Sequence, residues 1–168
     1  MQTDIEKINA DCAEQIVKTF TTKKLTLAGA ESCTGGAVAS TIVGISGASA
    51  VFKGAAVCYC DDAKNKILAV KKSTLKKYFA ESPQCVEEMA IGALKKYNAH
   101  IAYATSGFLD SNTASRPSEL AQTVFVAVAK QNKNSVKILH AKIKFKTPQR
   151  NKNRSECVGV VLDLIAKI

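Results

Sequence analysis

The sequence predicts an α/β fold, a mixed β-sheet covered by helices in a three-layer-like sandwich. Three observations point there. Amphipathic three- and four-residue periodicity marks both ends of the chain, short apolar runs rich in β-formers lie between, and no linker or repeat divides the whole. At 168 residues and 46% hydrophobic, the chain can bury one sizeable core, so residues 1–168 are expected to form a single domain.

Residues 4–20 place Ile5, Ile8, Cys12, Ile16 and Phe20 along one helical stripe. Leu25 to Ala30 reads as a buried strand. It breaks at Glu31-Ser32-Cys33-Thr34, after which Gly35-Gly36 opens an alanine- and valine-rich helix. Ala50 to Tyr59 is apolar and β-leaning. Asp62 to Val70 and Thr74 to Phe79 suit short helices, and Pro83 introduces a longer one over Gln84 to Tyr97. Ile101 to Thr105, Thr123 to Lys130 and Val136 to Phe145 read as strands, the last two joined as a hairpin through 131–134. A final helix over 151–168 carries Val158, Val161, Leu162 and Ile165 on one face.

The start of the chain carries Asp4, Glu6, Asp11 and Glu14, which is unlike a secretory leader, and no apolar run reaches a membrane span. Six cysteines set mostly in apolar-periodic segments read as buried thiols in a reducing cytoplasm. The formal charge of +10 is uneven: between Lys130 and Arg154 there are nine Lys or Arg residues and no acid. Lys142, Lys144 and Lys146 alternate with Ala141, Ile143 and Phe145, so a solvated strand face competes with a small-anion site and with nucleic-acid binding. The lack of tryptophan and of interleaved aromatics argues against single-strand binding.

The strand-to-helix turn at 31–36 gathers a carboxylate, two hydroxyls and a thiol beside backbone N–H groups at a helix start, an arrangement suited to phosphate or an oxyanion. Ser32 is the candidate nucleophile, although Ser32 or Thr34 would equally well cap the helix. Cys33 has no histidine nearby in sequence, since His100 and His140 fall at or within predicted strands. Lys64, at a predicted strand end and helix start, is the candidate base, or an ordinary surface lysine.

Three blocks in order, Glu31-Ser32-Cys33-Thr34-Gly35-Gly36, Gly47-Ala48-Ser49-Ala50-Val51-Phe52 and Tyr59-Cys60-Asp61-Asp62-Ala63-Lys64, resemble the CinA C-terminal domain family. That is the competence-damage-inducible family, whose active members are nicotinamide mononucleotide deamidases. Further matches at Met89–Leu94, Ala102–Gly107, Arg150 and Arg154 extend the resemblance over residues 5–167. It implies a stand-alone form of the domain that self-associates in the cytoplasm and acts on a small nucleotide without metal or organic cofactor. It assigns Ser32 as nucleophile and Lys64 as base, with Tyr59 lining the pocket and Arg150 or Arg154 holding phosphate. Ser106 stands where the family has threonine, and Glu31, Thr34, Gly35, Gly36 and Ser49 fall inside the matched blocks as substrate-binding positions. One departure stands out. A glycine-rich family loop is here Phe108 to Ser115, with no glycine after Gly107, so a nucleotide-binding protein without turnover is the alternative reading.

Overall fold

A computed structural model describes residues 3–113 and 116–168. Its centre is a five-stranded mixed sheet, ordered β2-β1-β3-β4-β5. The strands are β1 (Leu27–Glu31), β2 (Phe52–Val57), β3 (Ile101–Gly107), β4 (Thr123–Gln131) and β5 (Val136–Lys144). β1 pairs in parallel with β2 and β3, whereas β3–β4 and β4–β5 are antiparallel. The helices are α1 (Asp4–Lys23), α2 (Ala37–Val43), α3 (Asp61–Leu68), α4 (Lys72–Tyr78), α5 (Pro83–Tyr97) and α6 (Arg150–Lys167). The predicted elements all form, most with ends moved by one to three residues.

The layering follows from strand alternation. Leu27, Ile101, Tyr103, Val124, Val126 and Val128 point to one side, where α1, α2 and α6 bury them. Ala28, Ala30, Ala102, Ala104, Ala127 and Ala129 point to the other, under α3, α4 and α5. A face of alanines lets α5 lie close to the sheet. The large side chains opposite need the broader cover of α1 and α6. No helix among the described residues is long and apolar enough to cross a membrane.

Two expectations move. In α1 the buried stripe is Asn9, Ala13, Ile16, Val17 and Phe20, while Ile8 is 65% exposed. The stripe is rotated because α1 packs on α6, and Asn9 donates across that contact to the Ser155 carbonyl at 2.9 Å. Ala50, expected to start a strand, instead ends a 3-10 turn over Ala48–Ala50, and β2 begins only at Phe52.

Part of the basic stretch resolves into structural contacts. β5 is an edge strand, where lysines discourage pairing with other chains. Lys144 Nζ donates to the carbonyls of Ala121 at 2.6 Å and Glu119 at 3.1 Å, and Lys130 Nζ donates to Ile168 at 2.9 Å. Four of the six cysteines are buried, and all are free thiols. Burial pushes the Cys85 thiol up to about 12, with nearby Lys64 pulling the other way.

Candidate active site

The three parallel strands end at the same edge of the sheet, where the chain leaves β1 at Ser32, β2 at Cys58 and β3 at Phe108. Crevices outside the carboxyl ends of parallel strands are where α/β folds commonly bind ligands. Here a cavity of about 300 Å³ is lined by Ser32, Cys33, Tyr59, Glu81, Asp110 and Arg150, among others.

The backbone of the Ser32 turn is tied on both sides. Ser32 N–H donates to the Thr105 carbonyl at 3.0 Å, and the Glu31 carbonyl accepts from Cys58 N–H at 2.8 Å. The sheet ladders therefore continue one residue past β1. Lys64 is the fourth residue of α3, and a helical side chain leans back toward its own N-terminus, here toward the strand ends. Its Nζ lies 3.1 Å from Ser32 Oγ, with Lys64 1% and Ser32 7% exposed. Among the described residues Ser32 Oγ is the one hydrogen-bond partner of that amine, and no carboxylate forms an ion pair with it. A serine and a buried lysine at this separation can exchange a proton directly.

Glu31 has a different task. Its Oε2 accepts from the N–H groups of Gly36 at 2.8 Å and Val38 at 3.3 Å, and its Oε1 from Ala39 N–H at 2.9 Å and Tyr103 Oη at 2.9 Å. The α2 N-terminus is thus occupied by the chain's own carboxylate. This corrects one expectation, since those N–H groups are not open to a substrate anion, and it removes the alternative that Ser32 or Thr34 caps α2, whose N-cap is Gly36 without a side-chain bond. A buried carboxylate suits the positive end of a helix as well as a bound anion does. Tyr103 is fully buried, and burial with Glu31 beside it holds its phenol well above the usual value.

Room for Tyr103 comes from Gly29, its partner in the β1–β3 register. A Cβ on Gly29 would stand 2.3 Å from Tyr103 Cζ. At the other end of β3, Gly107 has φ +150°, and a Cβ there would meet the Thr123 carbonyl oxygen at 2.3 Å.

The remaining expected site residues separate into those at the cavity and those away from it. Tyr59, 65% exposed, and Arg150 are at the cavity, where Arg150 Nη2 donates to Tyr59 Oη at 3.0 Å. Arg154, one turn further along α6, lines another cavity with Gly35 and Gly36, between α1, α2 and α6. Thr34 is buried against Thr105, with their hydroxyl oxygens 2.7 Å apart. Ser49 is exposed beside Val43 and Phe52, on a separate groove. Ser106 is buried one residue before Gly107 and shares the strand face of Ala102 and Ala104. Neither histidine borders the cavity.

Asp110 and Glu81 were not singled out from sequence, and both line the cavity. Asp110 accepts from Arg150 Nη1 at 2.9 Å, a contact that holds its carboxyl below the usual carboxylate range. Glu81 lies 3.3 Å from Arg116 Nε, and Arg116 also faces Asp61 at 3.6 Å and stacks over the Phe79 ring. The segment replacing the expected glycines therefore brings charge to the site. Ala114 and Ser115 of that segment lie outside the described residues.

Comparison with known proteins agrees with this architecture. The model of the CinA C-terminal domain family matches residues 9–168. A CinA-like protein of Thermotoga neapolitana is 43% identical over 124 residues, 74% of this chain and 30% of that protein. A CinA-like protein of Pseudothermotoga lettingae is 38% identical over 159 residues, 95% of this chain and 38% of that protein. The chain thus spans well under half the length of these curated relatives. Among solved structures, the competence/damage inducible protein CihA from Agrobacterium tumefaciens superposes with a TM-score of 0.86 at 31% identity, covering 99% of this chain and 96% of that one. A competence or damage-inducible protein from Enterobacter asburiae gives 0.87 at 25% identity, covering 95% and 97%. With the family model matched over nearly its whole length, this chain belongs to the CinA C-terminal domain family.

Proposed function

We propose that the protein is an amide hydrolase that converts nicotinamide mononucleotide, or a related nucleotide amide, to the acid and ammonia. The observation that carries this reading is the 3.1 Å contact between Lys64 Nζ and Ser32 Oγ inside a cavity at the strand ends. In the proposed reaction the Lys64 amine takes the proton of Ser32 as Oγ bonds to the carboxamide carbon. The lysine then returns that proton to the departing nitrogen, which leaves as ammonia, and an acyl ester remains on Ser32. Water, deprotonated by the same amine, attacks the ester and restores Ser32 with release of the carboxylic acid.

The oxyanion formed in each half needs a donor outside α2, because Glu31 occupies that helix start. The N–H of Cys33, directly after the nucleophile and without a hydrogen-bond acceptor among the described residues, takes this role in the proposal. Arg150, at the cavity mouth, is the proposed phosphate contact, since its planar fork matches two phosphate oxygens.

The test is ammonia release from nicotinamide mononucleotide by the purified protein, compared with Ser32→Ala and Lys64→Ala. Turnover abolished in both variants supports the reading. Absence of turnover in the wild type, or full activity in Ser32→Ala, overturns it. A second reading, nucleotide binding without turnover, is favoured by Phe108, Asp110 and Asn112 projecting onto the cavity where the family resemblance implies glycines. Calorimetric titration showing tight binding in the absence of hydrolysis would select it.

A further inference from the structure

We infer that Asp110 is a specificity-determining residue: an internal carboxylate that competes with a ligand's phosphate for Arg150 and so extends the site to unphosphorylated amide nucleosides. The inference takes its ligand class from the reading above. Arg150 lines the cavity, and both of its terminal nitrogens are engaged, Nη1 with Asp110 Oδ2 at 2.9 Å and Nη2 with Tyr59 Oη at 3.0 Å. A phosphate held bidentately across the two terminal nitrogens would have to share this same pair, beside a carboxylate already seated on it.

Asp110 is held in place from behind. Its Oδ1 accepts from Asn112 N–H at 3.0 Å, and its carbonyl accepts from Gln122 N–H at 2.8 Å. The preceding residue, Leu109, is fully buried, and Asn153 Nδ2 donates to its carbonyl at 2.6 Å. Asn153 lies in the first turn of α6, three residues after Arg150, so one helix start anchors both the loop backbone and the arginine. The Asp110 side chain is 22% exposed and that of Arg150 is 46% exposed, open enough for an incoming ligand to contest the pair.

The consequence is chemical. An entering phosphate dianion meets a carboxylate already seated on its guanidinium, and it must displace Asp110 or share Arg150 against repulsion. A sugar hydroxyl meets no such cost, because it can donate to Asp110 and leave the ion pair intact. Asp110 thus lowers the value of a phosphate without removing the arginine that would bind it.

The experiment is calorimetric titration of wild type, Asp110→Asn, Arg150→Gln and the double variant with nicotinamide mononucleotide, nicotinamide riboside and inorganic phosphate. The wild type is expected to bind nucleotide and nucleoside within about threefold of one another. Asp110→Asn is expected to tighten nucleotide and phosphate binding about tenfold, equivalent to about 1.4 kcal/mol, with the nucleoside little changed. In the Arg150→Gln background that gain should vanish. Asp110→Ala serves as a second neutral variant should the asparagine fail to fold. An unchanged nucleotide-to-nucleoside ratio in the Asp110 variants overturns the inference, as does a wild-type preference for nucleotide above tenfold or failure to bind either ligand. Hydrolysis of both compounds is measured alongside. The expected binding pattern without ammonia release would refute the hydrolase reading and leave the role of Asp110 standing.

Discussion

Replacing Glu31 with glutamine keeps the side chain's shape and exchanges one acceptor oxygen for a donor. Four donors converge on the native carboxylate, two at each oxygen. If the new NH2 replaces Oε2, both Gly36 and Val38 N–H groups face a donor. If it replaces Oε1, the Tyr103 hydroxyl can rotate to accept, and the Ala39 N–H alone is orphaned. The second orientation is cheaper. Leaving one buried N–H unpaired costs about 1–3 kcal/mol, and the two bonds remaining at the other oxygen lose their charge assistance, at about 1 kcal/mol each. The sum, about 3–5 kcal/mol, is a large share of the roughly 5–15 kcal/mol that stabilises a domain. At about 2 kcal/mol per molar, the urea midpoint should fall by about 2 M. A midpoint within about 0.5 M of wild type would refute the assignment of Glu31 as the structural anion of α2.

Gly29→Ala should be at least as damaging, since the added Cβ lies 2.3 Å from a fully buried ring that cannot move without breaking its bond to Glu31; a melting temperature unchanged from wild type would contradict this. In thiol labelling at pH 8, Cys60, which is exposed, should react fast, while Cys85, held near 12, and the fully buried Cys157 stay protected until unfolding. Equal labelling rates for Cys60 and Cys85 would contradict the packing. The Asp110–Arg150 pair fixes a pH dependence. Asp110 has a folded pKa below its unfolded value, so its stabilising contribution is present at neutral pH and is lost as pH falls below about 4. Unfolding curves of wild type and Asp110→Asn should therefore differ at pH 7 and draw together as pH falls below about 4, and an offset that stays constant with pH would count against the pair.

Much of this molecule is legible in its residues, and the parts that are not have physical causes. Strand alternation in Leu27 to Glu31 and Ile101 to Gly107 is plain in sequence, yet nothing local says that the alanine side faces α5 and the bulky side faces α6. The α1 stripe shows the same limit: Ile8 fits the helical period but faces solvent, because contact with α6 decides the rotation. At the site, Ser32 and Lys64 are found from motif and position, and their 3.1 Å approach follows from two adjacent parallel strands ending side by side. The role of Glu31 was hidden because its partners Gly36, Val38 and Ala39 look like ordinary helix residues, and Tyr103 is 72 positions away. Arg150 and Arg154 look equivalent in sequence, but a single helical turn delivers them to different cavities. Asp110 carried no signal beyond lying where glycines were expected, since its partner is 40 residues distant.

The claim on which the functional account rests is that Lys64 activates Ser32, and a fluorophosphonate probe tests it without assuming any substrate. Intact-protein and peptide mass spectrometry should show one phosphonyl adduct, on Ser32, forming in the wild type and slowed at least about a hundredfold in Lys64→Ala, the scale of a lost general base. An unmodified Ser32 in the wild type, or equal labelling rates in the two proteins, would contradict the account.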